Sequence, residues 1–256
     1  MKDTINTVQS VDRTIGILEL LSIHQEGIGL TELSQKMELH KSTAHRLLLT
    51  LIVHGFVHQN EQTQRYHLTL KMYELGTRVV DGLDLRRSAR PYLEKLRDLT
   101  NEVVHLVIPD GTDIVYIDKM ESDNNIRMHS RIGARSPLYS TSAGKAMLAF
   151  MPESKVKEIW DNSTIIQRTP NTVTEYNDLL KVLEKVRNDG YALDEEENEP
   201  GIRCIGAPVF TYNGDVVGAV SISGPTLRVT HETIETFKTH ILKYSILISR
   251  EMGYHN

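Results

Sequence analysis

Two groups of residues have types and spacings that could do chemistry. The first is the run Leu39-His40-Lys41-Ser42-Thr43-Ala44-His45-Arg46-Leu47-Leu48-Leu49-Thr50-Leu51. Lys41, Ser42 and Thr43 open an amphipathic helix, where backbone amides and the helix dipole favour phosphate and short side chains reach base edges. His45 and Arg46 lie one turn on, facing away from Leu47 and Leu51, and no acid interrupts the run. Thr31 opens the preceding helix. Arg65 and Tyr66 fall on a following hairpin, where they could touch phosphate or minor groove. A solvated amphipathic helix with an ordinary start is the plain alternative; the pattern favours DNA.

The second group is spread along the chain. Ser142, Ala143 and Gly144 stand where a loop meets a helix, and free amides there can hold a carboxylate. Asp194, Cys204, Ser221 and Ser223 come from three strands, with the two serines spaced to share one side of a sheet. On residue types alone, the better reading is that the serines are small strand residues and Cys204 is buried filler. Asp194 and Cys204 with His105 or His129 could ligate zinc, but the spacing is not diagnostic. Ala143-Gly144-Lys145-Ala146 lacks the flanking residues of a phosphate loop. A nucleophilic Cys204 would sit on a strand, without the helix start that lowers a thiol pKa and with Asp194 raising it. The expectation is therefore no enzyme, no cofactor and no metal. The remaining acids of the run 194–199, Glu196, Glu197 and Glu199 among them, read as a solvated loop.

These residues need elements to position them. Ser10 is a candidate N-cap for a helix through His24; Thr31 and Lys41 or Ser42 open two more. Gly55 ends the third, and Phe56-Val57-His58 and Tyr66-His67-Leu68 form a hairpin. Helix, helix, turn, helix, hairpin is the layout of a winged helix-turn-helix, expected over 1–67 with its helix-turn-helix near 30–49. A linker helix is expected over 68–84, within a helical stretch reaching Arg97 that breaks near Gly76, Gly82 and Pro91. From Glu102 the period becomes two: strands at 103–108, 114–117 and 126–129, then 191–194, 202–209 and 216–223. Helices are expected at 141–150, 175–187 and 231–252. The absence of a βαβ rhythm predicts an α+β domain over 85–256.

Composition narrows the class. The chain has 256 residues, one cysteine and a net charge of -5. That length suits two modest domains. A lone cysteine excludes a disulfide framework and suits a reducing compartment. No apolar run is long enough to span a membrane, and the start lacks a signal core, so a cytoplasmic protein is expected. The acidic balance, taken over the whole chain, argues against a nucleic-acid partner. The run 39–51 carries two cations, two histidines and no acid, so the average misleads.

The chain resembles the IclR family of bacterial transcriptional regulators. The stretches that carry the likeness are Ser10-Val11-Asp12-Arg13, Leu30-Thr31-Glu32-Leu33-Ser34, Lys41 to Leu48 and Gly55-Phe56-Val57, then Tyr139 to Ala146, Gly190-Tyr191 with Asp194-Glu195-Glu196, Gly201 to Phe210, and Val220 to Pro225. The resemblance implies a winged helix-turn-helix, a linker helix and a GAF-like α+β effector domain with a mixed antiparallel sheet flanked by helices. It implies operator DNA, a small organic acid and a homodimer or tetramer as partners. Met128, Tyr139, Ser142, Ala143, Gly144, Asp194, Cys204, Ser221 and Ser223 would line the effector pocket. The family often has Gly where Ser142 stands; a side chain there narrows the pocket or adds a donor. Tyr66 to Gly76, Ile126 to Gly133, Pro137 to Thr141 and Met252 to His255 resemble a subgroup that represses pectin and hexuronate catabolism and responds to 2-keto-3-deoxygluconate. Another carboxylate or aromatic-acid pathway is the alternative.

Overall fold

A computed structural model describes residues 7–75, 85–124 and 130–255. Its contacts divide the chain into two compact units, 1–83 and 84–256.

The first unit contains α1 (Gln9–Ser22), α2 (Leu30–Lys36), α3 (Lys41–Val53), β1 (Val57–Gln59) and β2 (Tyr66–Leu68). Ile17, Leu21, Leu33, Ala44, Leu48 and Leu51 recur at helical spacing and meet Val57 and Tyr66 in one core. α1 begins one residue before the expected cap. Val8 holds that position, its carbonyl accepting from Val11 and Asp12, so Ser10 lies inside the first turn. β1 and β2 pair antiparallel, and Ile28 bridges to Tyr66, tying the α1–α2 turn to the wing. Of the linker helix expected over 68–84, Leu68 belongs to β2, Thr69 accepts from the Lys71 amide, and residues 71–75 are helical. Residues 76–84 lie outside the described residues.

The second unit is a six-stranded antiparallel sheet between helices. Its elements are α4 (Leu85–Thr100), β3 (Val103–Asp110), β4 (Asp113–Met120), β5 (Arg135–Pro137), α5 (Ser142–Leu148), α6 (Glu153–Asn162), α7 (Tyr176–Asp189), β6 (Ala192–Glu195), β7 (Ile202–Phe210), β8 (Val216–Pro225) and α8 (His231–Glu251). The strand order is β5-β4-β3-β8-β7-β6. α4 runs through Pro91, where the sequence predicts a break. Leu85, Ala89, Leu93 and Leu96 bury one stripe of it against the sheet, while Pro91 is exposed, so the carbonyl it leaves unpaired can face water. The strand expected at 126–129 lies outside the described residues.

Glycines set the approach of helix to sheet on the site side. A Cβ on Gly206 would lie 2.8 Å from the Ala143 amide nitrogen, so β7 meets the start of α5 backbone to backbone. A register shift between Leu106 and Val107 pairs Val107 with Tyr116, bringing Tyr116 to the same face as His105.

Candidate DNA interface and effector cavity

α3 presents Lys41, Ser42, His45 and Arg46 to solvent and half-buries Thr43. Ala44, Leu48 and Leu51 anchor its opposite face. His40 is the N-cap residue, no side chain caps the end, and no acid lies in the first turn. The Lys41 and Ser42 amides remain available to an anion, whereas the Thr43 amide donates to the His40 carbonyl at 2.9 Å. Thr31 is exposed in the first turn of α2 and shares a surface groove with His45, Gln59, Gln64 and Arg65. The Arg65 guanidinium donates to the Gly27 carbonyl at 2.9 Å, which holds the base of the wing.

In the second unit a cavity of about 240 Å³ lies against one face of the sheet. His105, Tyr116, Cys204, Ser221 and Ser223 form its floor, and Asp194 enters from β6. Register explains the convergence: Asp194 opposes Cys204, Cys204 opposes Ser223, and Ser221 opposes His105, so all point to one side. Thr141, Ser142 and Ala143 close the cavity from the start of α5. Ser130, Ala134, Arg135 and Ser136 form one wall and Asn198, Glu199 and Ile202 another.

The electrostatics follow from burial. His105 is 2% exposed and its pKa is lowered to about 3, by burial first and by the Lys119 charge second, so its imidazole is neutral. Its Nε2 lies 2.7 Å from Ser130 Oγ, and its Nδ1 lies 3.5 and 3.4 Å from the hydroxyls of Ser221 and Ser223. Asp194 is raised to about 7 by burial, against the opposing Lys145 charge and amides donated by Glu197 at 2.7 Å and Asn198 at 3.3 Å. Burial, then the Asp194 charge, pushes the Cys204 thiol well up, which removes nucleophilic character.

The chain's likeness to known proteins decides what these two sites belong to. The pattern described as the IclR helix-turn-helix domain matches residues 10–61, and that described as Bacterial transcriptional regulator IclR C-terminal matches residues 77–250. The chain is a member of the IclR family of transcriptional regulators. It is 43% identical to the HTH-type transcriptional regulator KdgR of Escherichia coli (strain K12), over 98% of this chain and 95% of that protein. Among solved structures it resembles the Thermotoga maritima IclR, with 37% identity, a TM-score of 0.65, and 96% and 99% of the two chains covered. It also resembles the C-terminal domain of E. coli KdgR, with 41% identity, a TM-score of 0.62, and 67% and 100% covered.

Several residues expected at these two sites lie elsewhere or point away. Tyr66 borders the groove but does not reach into solvent; it is 3% exposed, because strand alternation turns its ring into the core beside Val57. Tyr139 packs in the second unit's core edge-on to Trp160, its hydroxyl bonded to both the amide and the carbonyl of Ile166, and it is not among the cavity residues. Gly144 also stands back from the cavity: its amide goes to the Thr141 hydroxyl, and a Cβ would meet the Leu138 carbonyl. Met128, like His129, lies outside the described residues. Ser142, Ala143, Asp194, Cys204, Ser221 and Ser223 do share the cavity.

The acidic run is a solvated loop only at Glu199, which is exposed. Glu195 pairs with Arg203 at 2.6 Å, Glu196 accepts from the Gly201 amide at 2.7 Å, and Glu197 forms a buried ion pair with Lys145. Lys145, 1% exposed, is therefore a structural cation. His105, Tyr116, Ser130 and Glu199 were missed as lining residues. The available signal for His105 was one polar residue inside the apolar strand Val103 to Ile108. Among the described residues no group of three metal-ligating side chains converges, and no helix is long and apolar enough to cross a membrane.

Proposed function

We propose that this IclR-family protein is a cytoplasmic repressor of pectin and hexuronate catabolism, released from its operator by a small keto acid such as 2-keto-3-deoxygluconate. The observation that carries this reading is the chemistry of the cavity. One end offers the first amides of α5 at Ser142 and Ala143, suited to a carboxylate; the floor offers serine hydroxyls, an imidazole and Asp194, suited to hydroxyl groups. The likeness to KdgR over nearly the full chain points the same way.

The reading heads act as a homodimer, with α3 of each protomer in successive major grooves about 34 Å apart. Lys41, Ser42, Thr43, His45 and Arg46 contact bases and phosphate, with Thr31 and Arg65 on the backbone. The effector favours a different head separation, and it weakens DNA binding by its difference in affinity between the two states. Cys204 has no catalytic role.

The test is a gel shift on DNA upstream of the chain's own gene, with and without 2-keto-3-deoxygluconate. Retardation that the compound relieves is expected. Retardation insensitive to it refutes the effector, and no retardation refutes the operator.

A further inference from the structure

We infer that His105 is the specificity-determining residue of the cavity, selecting acids that carry hydroxyl groups along their chain over plain aliphatic acids. This rests on the reading of the cavity as the effector site, and it assigns the end of the ligand opposite the carboxylate.

Three observations carry it. β3 is otherwise apolar at this depth: Val103, Val104, Leu106 and Val107 are all at most 1% exposed, and His105 alone among them brings a polar ring. Such burial costs free energy unless the ring is hydrogen-bonded. The ring is held in place. Tyr116 meets it edge-on at 4.9 Å, Ser130 binds Nε2 at 2.7 Å, and the Ser130 carbonyl accepts from Lys119 Nζ at 2.8 Å.

The other nitrogen is shared. Nδ1 faces two hydroxyls at the long end of hydrogen bonding, 3.4 and 3.5 Å, yet a neutral ring offers one donor and one acceptor in total. The hydroxyls of Ser221 and Ser223 thus converge on one nitrogen that can pair well with only one of them, Ser223 also reaching the Cys204 thiol, in a cavity open to a ligand. A ligand hydroxyl can donate and accept at once, completing the set; a methylene can do neither. A site built to bond a hydroxyl discriminates strongly against an analogue that lacks it.

The experiment measures dissociation constants by calorimetry for 2-keto-3-deoxygluconate, D-gluconate and 2-ketohexanoate, the last a keto acid without hydroxyls. The full-length wild type should prefer the better hydroxylated acid to 2-ketohexanoate by about tenfold or more. His105→Leu should reduce that ratio to within about threefold, while His105→Gln, which keeps a donor and an acceptor, should retain most of it. A ratio unchanged in His105→Leu overturns the inference, as does a wild type without preference. If His105→Leu lacks a cooperative melt, Ser130→Ala serves instead: a reduced ratio supports the inference and an unchanged one overturns it. Preferential binding of D-gluconate without any binding of 2-keto-3-deoxygluconate refutes the named effector and leaves the role of His105 standing. Binding of 2-keto-3-deoxygluconate with an unchanged ratio in the variants does the reverse.

Discussion

Single residues in the cavity owe their chemistry to being out of water. Asp194 is held protonated up to about pH 7 because burial outweighs the Lys145 charge and two donated amides. The folded state therefore binds a proton that the unfolded chain, at its ordinary value of 3.8, has released. The stability this proton provides is largest at low pH, falls as pH rises toward 7, and is level beyond. Asp194→Asn should flatten that slope in melting temperature measured from about pH 5 to about pH 8. An anionic effector should bind beside neutral Asp194 more tightly than beside the carboxylate, so its affinity should fall several-fold between about pH 6 and about pH 8. Calorimetry at the two values checks this, and Asp194→Asn should abolish the difference. Cys204 should label slowly with a thiol reagent at neutral pH, because its thiolate is doubly disfavoured by burial and by Asp194. Labelling as fast as a free thiol would contradict its placement on the cavity floor.

At the scale of elements, the cavity depends on how closely α5 approaches β7. Gly206→Ala would put a Cβ 2.8 Å from the Ala143 nitrogen and 2.9 Å from the Ser142 carbonyl carbon, both backbone atoms. The helix must then move, at a cost of about 1–3 kcal/mol. Urea unfolding of the variant should show that loss, and its thermal shift with effector should shrink, since Ser142 and Ala143 move with the helix. In the first unit, α3 works by exposing one face while burying the other. Arg46→Ala should leave the melt nearly unchanged and weaken operator binding by about 1–3 kcal/mol, measured by gel-shift titration.

For the whole molecule, the charge of -5 is an average over two units with different tasks. The acids of the run 194–199 pair within the effector unit with Lys145, Arg203 or the Gly201 amide, or line its cavity, whereas the cations of α3 face solvent. With few cations on each reading head, the proposed operator complex should draw its affinity from pairing two heads and from specific contacts. The salt dependence for a dimer should correspond to no more than about ten released ions. A steeper dependence of log affinity on log salt would show that contacts beyond α3 and the wing dominate.

The sequence by itself determined much at the level of periodicity. Helical spacing around Ala44, Leu48 and Leu51 marked the reading helix, and the two-residue spacing of Ser221 and Ser223 placed both on one face. Ordered motifs shared with the IclR family tied these pieces together. Local pattern does not encode which side of a strand meets which neighbour, because that depends on register between distant segments. Only the tertiary structure sent Tyr66 and Tyr139 into the cores, carried α4 through Pro91 and buried Glu197 against Lys145. It alone brought His105 and Tyr116 to the cavity floor, through the β3–β8 pairing and the shift after Leu106. The physical reason is the same in each case: burial energy gained in long-range packing exceeds the local preference of the residue concerned.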